Sequence, residues 1–279
     1  MSISEQFQCD SEFIKLLMRR DDIDLATASL EIARDAYPHL DFDETFDWID
    51  DRAEELAGPV ARAKTDVDVL EELQKCLVTN HQIHGSRDAF CQADGSFLNR
   101  VIETKQGIPI SLSLLYMTVA DRLGIKLSGV AAPIHFITRY ESVAGPLFLD
   151  PFSGGRVMTF VEAADWLQQL TGAPGSSIIN ALKPAEPRAI IIRMLNNLKR
   201  LYVEQKCWKS AWNVQHRLAA LQPTLYEERR DLAVLSLKAH RPGYAINLLN
   251  CCLKSCPPDE SEMLVQHLES AQTELSRWN

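Results

Sequence analysis

The sequence predicts a predominantly helical α+β protein, and three observations carry that expectation. Apolar residues recur at helical spacing from Phe13 to Leu77 and again beyond Pro184. Between these stretches lie short runs of strand character at 125–132, 134–140 and 147–150, separated by Pro133 and by Ala144-Gly145-Pro146. The tail repeats itself at an interval of about 34 residues. The expected modules are a helical N-terminal region (1–85), a core with a small antiparallel sheet (86–183) and C-terminal helical hairpins (184–279).

The N-terminal region opens with Phe13, Leu16 and Leu17 at helical spacing. Leu25, Leu30, Ile32 and Ala33 follow the acidic cluster of Asp21, Asp22 and Asp24, and Pro38 closes the segment. A helix over 43–57 places Phe46, Ile49, Ala53 and Leu56 on one face and is expected to end at Gly58-Pro59. Another runs through Val67, Leu70, Leu73 and Leu77. Near position 86 the texture changes. Ser96 is placed to cap a short helix carrying Phe97, Leu98, Val101 and Ile102, which Gly107 would terminate. Pro109, tolerated in a first helical turn, opens the next, through Leu112, Leu115, Tyr116 and Val119 to Gly124.

In the tail, Leu198 aligns with Leu232, Leu201 with Leu235, Ala211 with Ala245, Val214 with Leu248 and Pro223 with Pro257, all at one offset. That offset, about 34 residues, is the period of the helix-turn-helix unit of the tetratricopeptide class. Trp208 and Trp212, one turn apart, are expected to pack between repeat helices. The segment from Ser261 to Trp278, with Met263, Leu264, Leu268 and Leu275, fits a capping helix. Residues 188–279 carry 13 basic against 9 acidic side chains. Asn196, Asn197, Lys199, Arg200 and Arg230 are the candidates for a polar concave face. A positive groove there suits an acidic peptide, or the chain's own acidic segment 1–60.

Composition narrows the classes further. The chain of 279 residues is 46% apolar and 24% charged, enough for a sizeable core. Its net charge is −9, and residues 1–60 alone hold 16 acidic against 5 basic side chains. Such a balance repels phosphate backbones, so nucleic-acid binding is disfavoured. The seven cysteines form no CxxC pair and have no nearby histidine in ligand spacing, which argues for a reducing compartment and against disulfides or a zinc site. No cofactor is indicated. The first residues lack the features of a secretion signal, and no apolar run is long enough to span a bilayer, so a cytoplasmic protein is expected.

The candidate chemistry centres on His135 and Asp150, whose separation fits two antiparallel strands and their connection. A carboxylate beside an imidazole fixes its tautomer and raises its basicity. By strand alternation Arg139 could share the face of His135. A thiol nucleophile would sit best at a helix N-terminus. That helix begins at Gly107-Ile108-Pro109 and has no cysteine. Gly154-Gly155 after Asp150-Pro151-Phe152 reads as a tight turn rather than a phosphate cradle.

The stretch GIPISLSLLYMTVADRLGIKLSGVAAPIHF, followed by FLDPFSGG and preceded by HGSRDAFCQADGSFLNRVIETKQG, resembles the bacterial SirB-type family over roughly positions 20–260. That family joins a transglutaminase-like core to tetratricopeptide repeats and carries a label as a regulator of SirC expression. The resemblance implies a papain-like transglutaminase core with His135 and Asp150 at the catalytic His and Asp positions. Counting back from Gly124, the catalytic Cys position falls on Pro109, which has no nucleophilic atom. A shift in alignment would offer Ser111 or Ser113 instead, each a weaker nucleophile in need of a well-placed base. Cys91 lies outside the helix in a polar loop. Relatives tend to read proline-glycine before the histidine, where this chain has Pro133-Ile134.

Two functions follow. One is a non-catalytic scaffold or regulator, a pseudoenzyme, that binds a protein partner through its repeats. The alternative is a hydrolase or acyltransferase on amide or thioester bonds, with Ser111 or Ser113 as nucleophile, His135 as base and Asp150 as orienter.

Overall fold

The computed structural model describes residues 7–277, in two compact units: residues 9–15 and 19–194 form the first, residues 7–8, 16–18 and 195–277 the second.

The described chain opens with α1 (Ser11–Leu17), whose residues 11–15 belong to the first unit, followed by α2 (Leu25–Ala33). The Asp24 carboxylate accepts the N–H groups of Ala26 (2.9 Å) and Thr27 (3.1 Å), capping α2. The buried Glu31 carboxylate accepts the N–H groups of Glu12 (3.0 Å) and Phe13 (2.8 Å), donors that the first turn of α1 leaves without helical partners. Next come α3 (Phe42–Arg62) and α4 (Asp66–Gln74). The expected stop at Gly58-Pro59 does not occur. Pro59 forgoes one backbone bond, and Val60, packed against the core, holds the extra turn. Beyond α4 the chain makes a π turn, Lys75–Asn80, where the His81 N–H reaches the Cys76 carbonyl at 3.0 Å.

A short parallel bridge joins β1 (His84–Gly85) to β2 (Gln106–Gly107) and brackets α5 (Leu98–Thr104). Ser96 lies in the preceding 3-10 turn and does not cap α5, whose N-cap position is Phe97. The helix ends at Lys105 with φ 64°, since Gly107 is committed to β2. Then α6 (Pro109–Arg122) runs through the centre, with Pro109 in its first turn. Leu112, Leu115, Tyr116 and Val119 are fully buried against Ile49, Leu56, Leu70, Leu73 and Leu98. The N-terminal helices and the central helix therefore share one core.

The sheet is an antiparallel meander of β3 (Leu127–Val130), β4 (Ile137–Ser142), β5 (Gly145–Asp150) and β6 (Arg156–Thr159). Its register pairs Val130 with Ile137, Thr138 with Leu149 and Asp150 with Arg156. On one face, Phe148 and Met158 pack with Ala163 and Leu167 of α7 (Phe160–Thr171) and Ile178 of α8 (Gly175–Ala181). α9 (Pro187–Glu204) gives its first turns to this unit and its remainder to the second.

The second unit continues with α10 (Trp208–Leu221), α11 (Tyr226–Lys238), α12 (Pro242–Cys252) and α13 (Ser261–Ser276). α10 and α12 begin at equivalent positions of the repeat, and the aligned Ala211 and Ala245 are both fully buried, as close helix packing requires. Trp212 packs between repeats: its indole N–H donates to Ser236 Oγ (2.9 Å), and the Arg241 guanidinium lies 3.7 Å over its ring. Trp208 carries the Lys238 ammonium at 4.7 Å. Phe7 rests against His216, ring to ring at 5.3 Å, and under Arg217 at 5.0 Å. In α13, Leu264 and Ala271 are buried and Leu268 packs beside them, whereas Met263 faces solvent. Trp278, the expected end of that helix, lies outside the described residues. Among the described residues no helix is long and apolar enough to cross a membrane.

Candidate functional site

The site is built on a turn and a strand end. His135 precedes β4 rather than lying in it, in a turn closed by its own N–H to the Ala132 carbonyl (3.3 Å). Ile134 in that turn has φ 56°, a conformation rare for a β-branched residue, and its side chain is 74% exposed. The half-buried Arg193 guanidinium clamps the turn, donating to the carbonyls of Ala132 (2.7 Å) and His135 (2.6 Å) while lying 5.6 Å over the Phe136 ring. Burial holds that guanidinium below its ordinary pKa.

Asp150 ends β5, next to the strand that follows the turn. Its buried Oδ1 accepts His135 Nε2 at 2.9 Å, together with the backbone N–H groups of Phe152 (3.1 Å) and Ser153 (3.2 Å). Burial pushes this carboxyl up. The hydrogen bond and charge of His135, with the donors at Ser153, outweigh burial and leave it below the ordinary carboxylate range. With Nε2 turned to Asp150, Nδ1 is the ring nitrogen that does not face the carboxylate.

Aromatic rings enclose the imidazole. Phe152 and Trp166 meet it edge to face with centroids at 5.9 and 5.2 Å, and Phe90 in turn meets Phe152 edge to face at 5.7 Å. A methyl group on Gly85 would lie 2.4 Å from the Phe152 carbonyl, so only glycine admits this approach. At Gly155 (φ 75°) it would meet Gln74 at 2.4 Å and the Tyr116 hydroxyl at 2.9 Å. That hydroxyl is buried and has no hydrogen-bond partner among the described residues. Burial raises its pKa, and the charges of Cys76 and Asp150 add to the shift.

The other candidates lie elsewhere. Ser111 Oγ has one proton to donate and has the Gly95 carbonyl at 2.6 Å and the Ile108 carbonyl at 3.0 Å within reach, and it accepts the Ile108 N–H. Ser113 Oγ reaches the Phe136 carbonyl at 3.4 Å. Both are fully buried, and among the described residues neither hydrogen-bonds the His135 ring. Cys91 is exposed in a 3-10 turn. Arg139 does not join His135, because the strand alternation starts only at Ile137. It pairs with Glu141 (2.7 Å) and the Leu182 carbonyl (3.1 Å).

In the repeat, Lys199 meets Asp231 (2.5 Å) and Glu228 (4.0 Å), and Arg230 meets Glu260 (2.6 Å) and Asp231 (2.9 Å). Arg200 is exposed and Asn197 half-buried. Two of the expected free cations are thus neutralised within the repeat. Arg193 and Trp166 escape any reading of sequence pattern, since they carry no motif of their own and reach the site only through the fold, whereas Phe152 lies in the FLDPFSGG stretch without its contact to the imidazole being marked there.

Comparison with known proteins defines the class. A family described as the transglutaminase-like superfamily matches residues 44–196, and a tetratricopeptide repeat family matches residues 198–269. The chain belongs to the transglutaminase-like superfamily and, within it, to the family of the SirB1 and UPF0162 proteins. It is similar to a UPF0162 protein of Xylella fastidiosa, 33% identical over 260 residues that cover 91% of this chain and 92% of that one. Protein SirB1 of Salmonella typhimurium is 26% identical over 81% of this chain and 85% of its own. UPF0162 protein YchA of Escherichia coli is 26% identical over 76% and 81%. No solved structure matches the chain.

Proposed function

We propose that this protein is a regulatory scaffold, a pseudoenzyme that binds a protein partner through its tetratricopeptide helices and does no covalent chemistry at its transglutaminase-like core. The observation that carries the reading is the nucleophile position. Pro109 stands at the head of α6, and the serines that follow it spend their hydroxyls on backbone carbonyls. His135 and Asp150 then serve as a rigid polar pair under an aromatic cleft. Arg200 and Asn197 remain available for an acidic peptide, with Lys199 and Arg230 shaping the surface through their ion pairs. Phe7 against α10 supports the variant in which the N-terminal segment competes with that partner. A cytoplasmic location fits this role.

The test uses intact protein as bait in a cell lysate, compared with the double variant Asn197→Asp, Arg200→Glu. A partner captured by the first and lost from the second, at equal melting temperature, supports the reading, and equal capture by both removes the repeat as the binding surface. The intact His135–Asp150 hydrogen bond favours the rival hydrolase or acyltransferase with Ser111 or Ser113. Hydrolysis of an activated thioester by the protein, abolished in both His135→Ala and a serine variant, would replace the scaffold reading.

A further inference from the structure

The π turn after α4 does something that the sequence spacing hides. In an α-helix, residues five apart point about 140° away from each other, given 3.6 residues per turn. The wider turn of Lys75–Asn80 brings Cys76 and His81, five apart, to the same side, where they meet Glu55 of α3. Cys76 Sγ, a His81 ring nitrogen and a Glu55 carboxylate oxygen all lie within 4.8 Å of one another. Single wide turns of this kind recur at functional sites.

We propose that Glu55, Cys76 and His81 bind one divalent transition-metal ion, with zinc(II) the type their chemistry suits. Thiolate, imidazole and carboxylate are the ligand types of three-coordinate protein sites that leave a fourth position open. Two ligand charges, on Cys76 and Glu55, balance a dication. The Cys76 proton leaves to solvent as the sulfur–metal bond forms. His81 donates its Nε2 lone pair, which places its proton on Nδ1.

The surroundings fit this assignment. His81 Nε2 and Glu55 Oε2 are 2.7 Å apart, so the pair must open by about 0.6 Å to hold a metal at tetrahedral spacing. Glu55 lies on an exposed helix surface and can make that adjustment. Asn80 Nδ2 holds the other Glu55 oxygen at 3.0 Å, the outer contact that orients a one-oxygen ligand. Trp48 meets the His81 ring edge to face at 5.8 Å and fixes its plane. Arg52 Nε stands 3.3 Å from Glu55 Oε2 and makes no hydrogen bond among the described residues, so it is a cation the metal would displace.

Cobalt(II) titration of the reduced full-length protein tests the site, because thiolate ligation gives a near-ultraviolet charge-transfer band. We expect one equivalent to bind with that band. Cys76→Ser should lose it, His81→Gln and Glu55→Gln should each weaken binding at least tenfold, and Arg52→Met should tighten it severalfold. Absence of the band in the parent protein, or its persistence in Cys76→Ser, overturns the proposal. Should Cys76→Ser fail to fold by circular dichroism, unchanged cobalt affinity in both His81→Gln and Glu55→Gln overturns it equally.

Discussion

Ile134 occupies a left-handed backbone conformation in the turn that presents His135, a conformation that favours glycine. A β-branched residue there costs of order 1–3 kcal/mol, and little burial offsets it because the side chain projects into solvent. Ile134→Gly should therefore raise stability by about 1 kcal/mol in urea unfolding, despite glycine's larger entropy loss. Asp150 gives a second residue-level expectation. Its folded-state pKa is depressed, so the stability it contributes is present above about pH 4 and lost as pH falls through the folded value. Asp150→Asn should flatten acid unfolding in that window, measured by fluorescence against pH. The pairing of His135 and Asp150 was legible in the sequence, because their separation matches a strand, a turn and a second strand. Arg193, 58 residues beyond His135, was not legible, because nothing local marks a cation that bonds two carbonyls across the fold.

At the scale of elements, hydrophobic period identified most helices and three of the meander strands, and failed where a local signal was outvoted by packing. Pro59 reads as a stop, yet the core-facing Val60 carries α3 on to Arg62. β6 is a strand of 4 residues after a glycine pair, too short to announce itself, and is recruited by its pairing with β5. α7 begins directly after it, with a reciprocal cap between Thr159 and Glu162 that strand patterning does not reveal. The π turn is the largest omission, since no residue type encodes it. Gly155 is where element and site meet. Gly155→Ala should destabilise the protein by about 1–3 kcal/mol, because its φ is unfavourable and the new methyl would meet Gln74 and Tyr116. Thermal denaturation checks this, and a neutral result would mean that the Gln74 side chain and the turn relax freely.

Across the whole molecule, the uneven charge was readable from the sequence, but its pairing was not. The repeat's excess of basic side chains suggested a positive groove, whereas Lys199 and Arg230 are held by Asp231, Glu228 and Glu260. Lys199→Glu should consequently destabilise by about 1–2 kcal/mol, by setting a third carboxylate beside two others, while exposed Arg200→Glu should be nearly neutral in the same melting experiment. The bonds that tie one repeat to the next have a particular span. Tyr226 donates to Glu260 at 2.8 Å and His240 pairs with Glu274 at 2.8 Å, each across 34 residues. Each turn of the array is thus fastened to its successor by equivalent positions, like rungs. Among the described residues α13 packs chiefly on α12, whereas α11 and α12 each pack on a helix to either side, so its backbone should open most often. Hydrogen–deuterium exchange should run fastest in Ser261–Ser276 and slow progressively toward α10, a gradient of protection along the chain instead of a single cooperative event.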